Sequence, residues 1–363
     1  MHTRFGSIVL LSALLVACGG SEPSAAVPQP PPPLEAGAAP EVSPSDAGIA
    51  RTEPAPPSPE EKKKADEQAK LADARVKWKR ANEAELARWT PELHAAAKAL
   101  AANPYPTFHA ALLAATAAEH RKPGNADRDK YRHPIETLEL FGLKPTQTVL
   151  EIDPGDGWYT ELLAPALSAK GKLIDTIAAP TGAHGDQAAF GAERFRAFLA
   201  KAPELYGKVE TVVVDNAAPK LDLDGKVDAV LLLRVVHGLV GGEGNLDTWL
   251  AEIHRALKPG GVLGIEDHRA KPDANPVESA KLGYLPEKWV IARVEAAGFK
   301  LVGRSEVNAN PKDTKDYSIG VWALPPTLRL GDQDRDKYLA IGESDRMTLK
   351  FVRAPDAAAG PKR

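Results

Sequence analysis

The stretch that decides the fold is Gln147-Thr-Val-Leu-Glu-Ile-Asp-Pro-Gly-Asp-Gly-Trp-Tyr-Thr-Glu-Leu-Leu-Ala164. It begins with apolar residues at Val149, Leu150 and Ile152, a pattern that predicts a short buried strand. A turn of proline and glycine follows, and the apolar spacing after the turn predicts a helix. A strand, a glycine turn and a helix in succession point unpaired backbone N–H groups and the positive end of the helix dipole at one place. The stretch therefore predicts a ligand site at the turn.

The chain beyond this stretch alternates between predicted strands and predicted helices. The strands are predicted over 148–152, 172–177, 209–214, 229–235, 262–265, 299–302, 318–322 and 346–352. The helices between them are predicted over 190–201, 246–257 and 287–297. This alternation indicates an α/β fold with a doubly wound, mostly parallel sheet. Ligands bind such a sheet outside the carboxyl ends of its strands, so functional side chains are expected just after each strand.

The composition is that of a globular domain with an extended N-terminal region. Apolar residues make up 43% of the 363 residues and charged residues 26%, as in soluble domains. The net charge of −3 argues against a nucleic-acid partner, because nucleic acid attracts a basic surface. Many of the 32 prolines fall before residue 60, where no periodic pattern is present.

The N-terminus resembles the signal of bacterial lipoproteins. A charged start is followed by an apolar run over 8–16 that is too short to span a bilayer, and then by Leu15-Val-Ala-Cys18, which resembles a lipobox. The resemblance implies cleavage before Cys18, the only cysteine of the chain, and attachment of lipid to its thiol. Because no aspartate follows Cys18, the resemblance favours the outer membrane, with the protein facing the periplasm. The alternative is an ordinary secretory signal with an incidental cysteine.

The chain divides into six predicted segments, which differ in proline content, charge and apolar periodicity. They are the signal peptide (1–17), a disordered proline- and alanine-rich tether (18–59), a charged helical segment broken near Pro91 (60–102), a helical lid (103–142), the sheet domain (143–353) and a disordered tail (354–363).

Four motifs in register resemble those of the class I S-adenosylmethionine-dependent methyltransferases. They are Val149-Leu-Glu-Ile-Asp-Pro-Gly-Asp-Gly157, Asp215-Asn216, Asp228-Ala-Val-Leu-Leu-Leu-Arg-Val-Val-His237 and Leu257-Lys-Pro-Gly-Gly-Val-Leu263. The resemblance implies a Rossmann-like sheet of seven strands with a C-terminal antiparallel hairpin and N-terminal helices, and S-adenosylmethionine as cofactor. A narrower resemblance, to a group of exported predicted methyltransferases, includes Tyr131-Arg-His-Pro134, Glu266-Asp-His-Arg269 and Ser344-Asp-Arg-Met-Thr-Leu-Lys350.

The resemblance assigns the methionine part of the cofactor to the turn after the first strand. Glu151 occupies the family's acidic position, and Gly155 and Gly157 occupy two of its glycine positions. Asp153 stands where the family has its first glycine. Its carboxylate is either a contact for the cofactor's positive charge or a capping residue of the turn.

The resemblance assigns the adenosine part of the cofactor to the ends of the second and third strands. An acid that binds the ribose hydroxyls is expected at the position of Ile177, whereas the nearest acid, Asp175, lies two residues or about 7 Å earlier. Asp215 and Asn216 follow the third strand, where the family contacts adenine.

Catalytic candidates follow the fourth and fifth strands. His237 is a candidate base, because imidazole titrates near neutral pH, and His268 and Asp267 lie at the same rim of the sheet. If they converge, one histidine is a base positioned by Asp267, or the cluster holds a metal, although the spacing is not that of a regular metal site. Tyr131 and Arg132 are candidates for closing the pocket and for binding an anionic substrate or the cofactor carboxylate.

These observations predict a lipid-anchored methyltransferase of the cell envelope that acts on a small molecule or an envelope component. The alternative is a binding protein that retains the fold without the cofactor, as the residues at positions 153 and 177 indicate. A metal-dependent hydrolase using Asp267 and His268 is a third possibility. Two observations distinguish the enzyme from the binding protein: whether Asp175 or another acid reaches the ribose position, and whether the crevice beside Gly155 is open. A crevice filled by Asp153 and its neighbours favours the binding protein.

Overall fold

Seven strands form the centre of the computed structural model, which describes residues 58–242 and 245–355. They are β1 Thr148–Ile152, β2 Lys172–Ala178, β3 Glu210–Val214, β4 Val227–Leu233, β5 Leu257–His268, β6 Phe299–Ser305 and β7 Arg346–Arg353. The predicted signal peptide, Cys18, nearly all of the predicted tether and most of the predicted tail lie outside the described residues.

Thirteen α-helices surround the sheet within those ranges. They are α1 Pro59–Arg88, α2 Pro91–Ala102, α3 Phe108–Ala117, α4 Asp129–Arg132, α5 Pro134–Phe141, α6 Thr160–Leu167, α7 Gly185–Ala200, α8 Pro203–Tyr206, α9 Val236–Gly241, α10 Leu246–Ala256, α11 Pro276–Ala280, α12 Glu287–Ala296 and α13 Arg335–Ile341. A capping box of Ser58 and Glu61 begins α1, and the predicted break near Pro91 separates α1 from α2. None of the helices in the described ranges is both long and apolar enough to cross a bilayer.

The strand order is β3-β2-β1-β4-β5-β7-β6. The first five strands of this order are parallel, whereas β7 is antiparallel to both β5 and β6. The order reverses between β1 and β4, which is the point where an open α/β sheet forms its ligand crevice. This confirms the predicted Rossmann-like, mostly parallel, seven-stranded fold.

One predicted strand is wrong, namely 318–322, which was expected to form a strand near the C-terminus. The chain forms a 3-10 helix there, Gly320–Ala323, because Gly320 has a φ of 64° and its Cα lies against the backbone of Leu282. The N–H group of Val321 donates to the Leu282 carbonyl, which ties the segment to the end of α11. The antiparallel pair of the sheet is instead β6 with β7, and β6 extends three residues beyond its predicted end.

Alternate residues of β1 pack into two different apolar cores, one on each face of the sheet. Val149 joins the core that contains α2, α3, α5, α6 and α7, whereas Leu150 and Ile152 join the core that contains α10 and α12. This division is what the side-chain period of two in a strand requires. Both cores hold β1 rigidly, and the turn that follows β1 is fixed by them.

The turn after β1 contains two glycines with left-handed backbones but different surroundings. A Cβ on Gly157 (φ 80°) would lie 2.6 Å from the ring of Phe198, whereas a Cβ on Gly155 (φ 59°) would meet no atom within 4 Å. Gly157 is therefore needed for packing of the turn against α7.

We expect Gly157→Ala to destabilise the protein more than Gly155→Ala. Both substitutions place a side chain in the left-handed region, at a cost of about 1–2 kcal/mol. Gly157→Ala adds overpacking against Phe198, a further ~1–3 kcal/mol. Urea denaturation of both variants measures the difference, and equal destabilisation would contradict this account of Gly157.

Candidate functional site

A crevice of about 440 Å³ lies at the carboxyl ends of β1, β2 and β3. Its walls are the turn Asp153–Asp156, the end of β2, one face of α7 and the residue Asn216 after β3. A second cavity, of about 340 Å³, shares the turn Asp153–Asp156 with the first. It continues along the ends of β4 and β5 toward α4 and the 3-10 helix Gly320–Ala323. The turn after β1 therefore lies where the two cavities meet.

The crevice beside Gly155 is open. Asp153, at the family's first glycine position, has a φ of 50°, which is the left-handed conformation that a glycine would adopt freely. Its N–H group donates to Thr176 Oγ1 at 2.9 Å, which fixes the turn against β2. A side chain at Gly155 would project into free space in the crevice wall. Aspartate tolerates this backbone better than most residues, so Asp153 neither distorts nor fills the turn.

Gly157 is placed differently from the prediction. Its Cα faces the ring of Phe198 and is buried, and it does not line either cavity. The sequence assigned Gly157 to the cofactor, but the structure gives it the role of a close contact between the turn and α7.

Asp175 does not reach the crevice, contrary to the prediction that it is a cofactor-binding residue. It is fully buried, and neither carboxyl oxygen has a hydrogen-bond partner in the described structure. It pairs in register with Glu151 on β1, so the two carboxyl groups lie side by side in the sheet. The end of β2 contributes Thr176, Ile177 and Ala178 to the crevice wall, and β2 continues one residue further than predicted.

Burial and mutual repulsion keep protons on this buried pair. Burial raises the pKa of Glu151 to about 7, although Thr160 Oγ1 donates a hydrogen bond to its carboxylate at 3.0 Å. Burial and the charge of Glu151 raise the pKa of Asp175 well above its usual range. Glu151 also lines the second cavity, so it remains at the site as predicted, next to the turn.

The part of the crevice at the ends of β2 and β3 includes residues that were not identified from the sequence. His184, Gln187 and Arg194 line it from α7 and the residue before it. Asn216 lines the crevice as predicted, whereas the Asp215 carboxylate accepts the N–H group of Ala217 at 2.9 Å and does not line it. His184, Gln187 and Arg194 could have been identified from the sequence, because the helix that directly follows β2 borders the same edge of the sheet.

His237, Asp267 and His268 converge after β4 and β5, which is the condition under which the sequence made them a base with a positioning carboxylate or a metal site. Asp267 Oδ1 lies 2.8 Å from His237 Nδ1 and accepts the His268 N–H group at 2.7 Å. Asp267 Oδ2 accepts the His237 N–H group at 3.0 Å. The imidazole centroids lie 5.2 Å apart, and His268 Nδ1 lies 2.5 Å from the hydroxyl of Ser344. His268 and Ser344 line the second cavity.

The pKa values of the two histidines are shifted in opposite directions. Burial lowers the pKa of His237, but the carboxylate of Asp267 more than offsets this, so that its pKa is raised. Burial, the charge of His237 and the nearby Arg346 and Arg234 hold the pKa of His268 well below its usual range. His268 is therefore neutral at physiological pH and able to accept a proton.

The cluster is compact enough to be considered as a metal site, because one ligand atom from each residue lies within 4.8 Å of the others. Both Asp267 oxygens, however, already accept N–H hydrogen bonds from His237 and His268. A carboxylate satisfied in this way positions a histidine in the manner of a catalytic dyad. The geometry therefore favours the base hypothesis for this cluster.

Arg132 lines the second cavity, as predicted, but Tyr131 does not. The ring of Tyr131 packs on Gly342, and its carbonyl accepts a hydrogen bond from Arg346. Further residues of this cavity were not identified from the sequence, namely Arg128, Arg234, Trp322 and Glu343. They come from segments that are far apart along the chain and gave no common motif.

Residues 150–265 match the model of a family described as "Methyltransferase domain". No curated protein sequence matches the chain. Solved structures similar to the chain include a SAM-dependent methyltransferase from Aquifex aeolicus (20% identity, 64% of this chain and 94% of that chain, TM-score 0.41). Another is a putative sarcosine dimethylglycine methyltransferase from Galdieria sulphuraria (12% identity, 64% of this chain and 86% of that chain, TM-score 0.43). At these identities the structural similarities concern the fold alone.

Residues 150–265 are therefore similar to a methyltransferase domain, which points to S-adenosylmethionine as the cofactor. The residues of the site fit that cofactor. Gly155 leaves room for close approach of a ligand to the turn, and Asp153 offers a carboxylate to a positively charged group. Asn216 and the side chains of α7 offer polar contacts at the other end of the crevice.

We expect Asp175→Asn to make the protein more stable than the wild type above pH 7. The folded state holds protons on Asp175 and Glu151 that the unfolded chain releases near pH 4, so wild-type stability falls as pH rises from there through about 7. The amide is neutral and can donate to Glu151, and the gain at pH 8 should be on the order of 1–2 kcal/mol.

Urea denaturation between pH 5 and pH 8 tests this expectation. Asp336→Asn, which removes an exposed carboxyl on α13, is the matched control. A variant whose stability varies with pH as steeply as that of the wild type would contradict the account of the buried pair.

Proposed function

We propose that the protein is an S-adenosylmethionine-dependent methyltransferase, held in the cell envelope by lipid on Cys18, that methylates a small molecule or an envelope component. The observation that carries the enzymatic part is the open crevice beside Gly155, within a segment that matches a methyltransferase family. The second cavity supports it, because it places a neutral imidazole next to the same turn.

S-adenosylmethionine supplies an electrophilic methyl group when it is bound. The role of the protein is to orient a nucleophilic atom of the acceptor and to remove its proton, so positioning supplies much of the rate. His268 is the base in this proposal, because it lines the second cavity and is neutral. His268 would take up the proton that the acceptor atom loses when it is methylated.

His237 and Asp267 are positioning residues for this base. Asp267 fixes the backbone of both histidines and holds the His237 ring, and the raised pKa of His237 and the lowered pKa of His268 make His268 the histidine that gives up its proton first. Ser344, hydrogen-bonded to His268 Nδ1, sets the orientation of the imidazole. The catalytic ring is thereby held from two sides before a substrate arrives.

A binding protein without catalysis is the second candidate. One observation favours it: in the described structure β2 contributes Thr176, Ile177 and Ala178 to the wall of the crevice, and none of these residues carries a carboxylate. In that case the crevice would take a ligand that makes no ribose–carboxylate contact. His184 and Gln187 are the polar side chains that could replace this contact in the enzyme.

We expect the purified protein to bind S-adenosylmethionine and S-adenosylhomocysteine in calorimetric titrations. His268→Gln should retain this binding and transfer labelled methyl groups to envelope extracts about 100-fold more slowly, because a general base typically contributes 10²–10⁴-fold. His109→Gln, which changes an exposed histidine on α3, is the control and should retain both properties.

A wild-type protein that binds neither cofactor form would remove the methyltransferase proposal and favour the second candidate. A His268→Gln variant that transfers methyl groups at the wild-type rate would leave the enzyme but remove His268 as its base.

Lipid anchoring is tested separately from catalysis. We expect the wild-type chain to incorporate labelled palmitate and to sediment with membranes, because several acyl chains together give stable anchoring. Cys18→Ser should abolish both properties. Absence of label from the wild-type protein would contradict lipid attachment and favour an ordinary secretory signal.

A further inference from the structure

Four arginine side chains converge on two glutamates beside the second cavity. We call Arg128, Arg132, Arg234 and Arg346 the arginine cluster. Arg346 lies on β7, is almost completely buried, and forms ion pairs with Glu266 Oε1 at 2.6 Å and Glu343 Oε2 at 2.9 Å. The cluster therefore has a core that solvent does not reach.

The remaining three arginines are attached to this core and line the cavity. Arg128 Nε and Arg132 Nε contact the Glu343 carboxylate at 2.7 and 3.2 Å. Arg234 Nη1 contacts Glu266 Oε2 at 3.0 Å, and the backbone of Arg234 has a φ of 62°, which is uncommon outside glycine. The left-handed residue directly after β4 turns its guanidinium back toward the cavity instead of continuing the strand.

The cluster carries more positive charge than its glutamates balance. Four guanidinium groups face two carboxylates, Glu266 and Glu343, which leaves an excess of two positive charges at the wall of the cavity. The other acids that line the cavity, Glu151, Asp153 and Asp156, belong to β1 and its turn, and burial raises the pKa of Glu151 to about 7 and that of Asp153 above its usual value. Asp156 is itself paired with Arg194. The cavity is thus acidic at the turn and basic along α4 and the end of β4.

Three guanidinium nitrogens of the cluster make no hydrogen bond in the described structure, and one of them, Arg346 Nε, is ion-paired with Glu266. Arg128 Nη2 and Arg132 Nη1 are buried and make no hydrogen bond in the described structure. Buried donors are satisfied in the large majority of cases, and an unsatisfied donor of a charged group is costly. The Arg132 guanidinium also lies over the ring of Trp158, with its central carbon 4.5 Å from the ring centroid, so its orientation is fixed. Both groups are positioned for a ligand that supplies oxygen acceptors.

We propose that the methyl acceptor is an anion, with a carboxylate or phosphate group that Arg128 and Arg132 bind. The proposal rests on the proposed function and adds the substrate class to it. Guanidinium groups bind both kinds of oxyanion through paired N–H donors. His268 and Ser344 line the same cavity, so an acceptor held by its anionic group presents its remaining part to the base. The rings of Tyr159 and Trp322 supply flat walls for that part.

The cavity volume of about 340 Å³ limits what can bind. It accommodates a small acceptor or one end of a larger molecule. The acidic turn repels the anionic group and the arginine cluster attracts it, so one orientation is favoured. That orientation keeps the anionic end away from Asp153.

The experiment uses the full-length protein saturated with S-adenosylhomocysteine and titrated with inorganic phosphate and with acetate. We expect at least one of the two anions to bind and to raise the melting temperature, because a bound ligand stabilises the folded state by mass action. Arg128→Gln should weaken anion binding by about ten-fold or more, since charged hydrogen bonds are lost. Its affinity for S-adenosylhomocysteine should change by less than about three-fold, as expected for donors that do not bind the cofactor.

Two further variants complete the test. Arg128→Lys, which keeps the charge, should retain part of the anion affinity and reports on any folding defect of the glutamine variant. Arg304→Gln, which removes an exposed arginine on β6, should leave anion binding unchanged. Comparison of the affinities for phosphate and for acetate shows whether the site prefers a phosphate or a carboxylate group.

The outcomes distinguish a failure of the proposed anion site from a failure of the proposed methyltransferase function. If Arg128→Gln weakens S-adenosylhomocysteine as much as the anion, the donors bind the cofactor's carboxylate and the proposal is overturned. If neither anion binds the wild-type complex, it is also overturned. If S-adenosylhomocysteine does not bind but phosphate or acetate does, the methyltransferase proposal fails and the anion site stands as the ligand site of a binding protein.

Discussion

The structure of the site depends on the burial of one cation, the guanidinium of Arg346. It joins β5 through Glu266, the loop before β7 through Glu343, and α4 through the carbonyl of Tyr131. A charge removed from water is tolerated only with paired partners, and loss of one partner from such a pair typically costs about 3–5 kcal/mol. The cavity wall is therefore built around a charge that cannot be left uncompensated.

Because the buried cation holds the other arginines on one side, the site has an acidic part and a basic part. The turn after β1 carries carboxylates, while α4 and the end of β4 carry guanidinium groups. A cofactor with a positive sulfur and an acceptor with a negative group would be attracted to opposite sides and meet between them. Selection by charge then requires few shape-specific contacts, which suits a cavity lined by a mixture of helix, strand and loop residues.

Side chains placed by the ends of strands could be predicted from the sequence. Groups of side chains that come from segments far apart in the chain could not. The turn after β1 and the convergence of His237, Asp267 and His268 were predictable, because carboxyl ends of parallel strands share an edge. The burial of Asp175 was not, because the face a strand residue occupies depends on register with its neighbour, here Glu151. The arginine cluster combines positions 128, 132, 234 and 346, which no local pattern connects.

The strand order also decides when the site can exist during synthesis of the chain. β7 lies between β5 and β6, although it follows both in sequence, so β6 joins the sheet only after residues 346–353 have been made. Until then β5 presents an open edge, and Glu266 can pair with Arg234 but not yet with Arg346. The turn after β1 contacts β2 and α7, which end by residue 200, whereas the ion pairs of the basic part include Glu343 and Arg346 and can form only after residue 346 has been made.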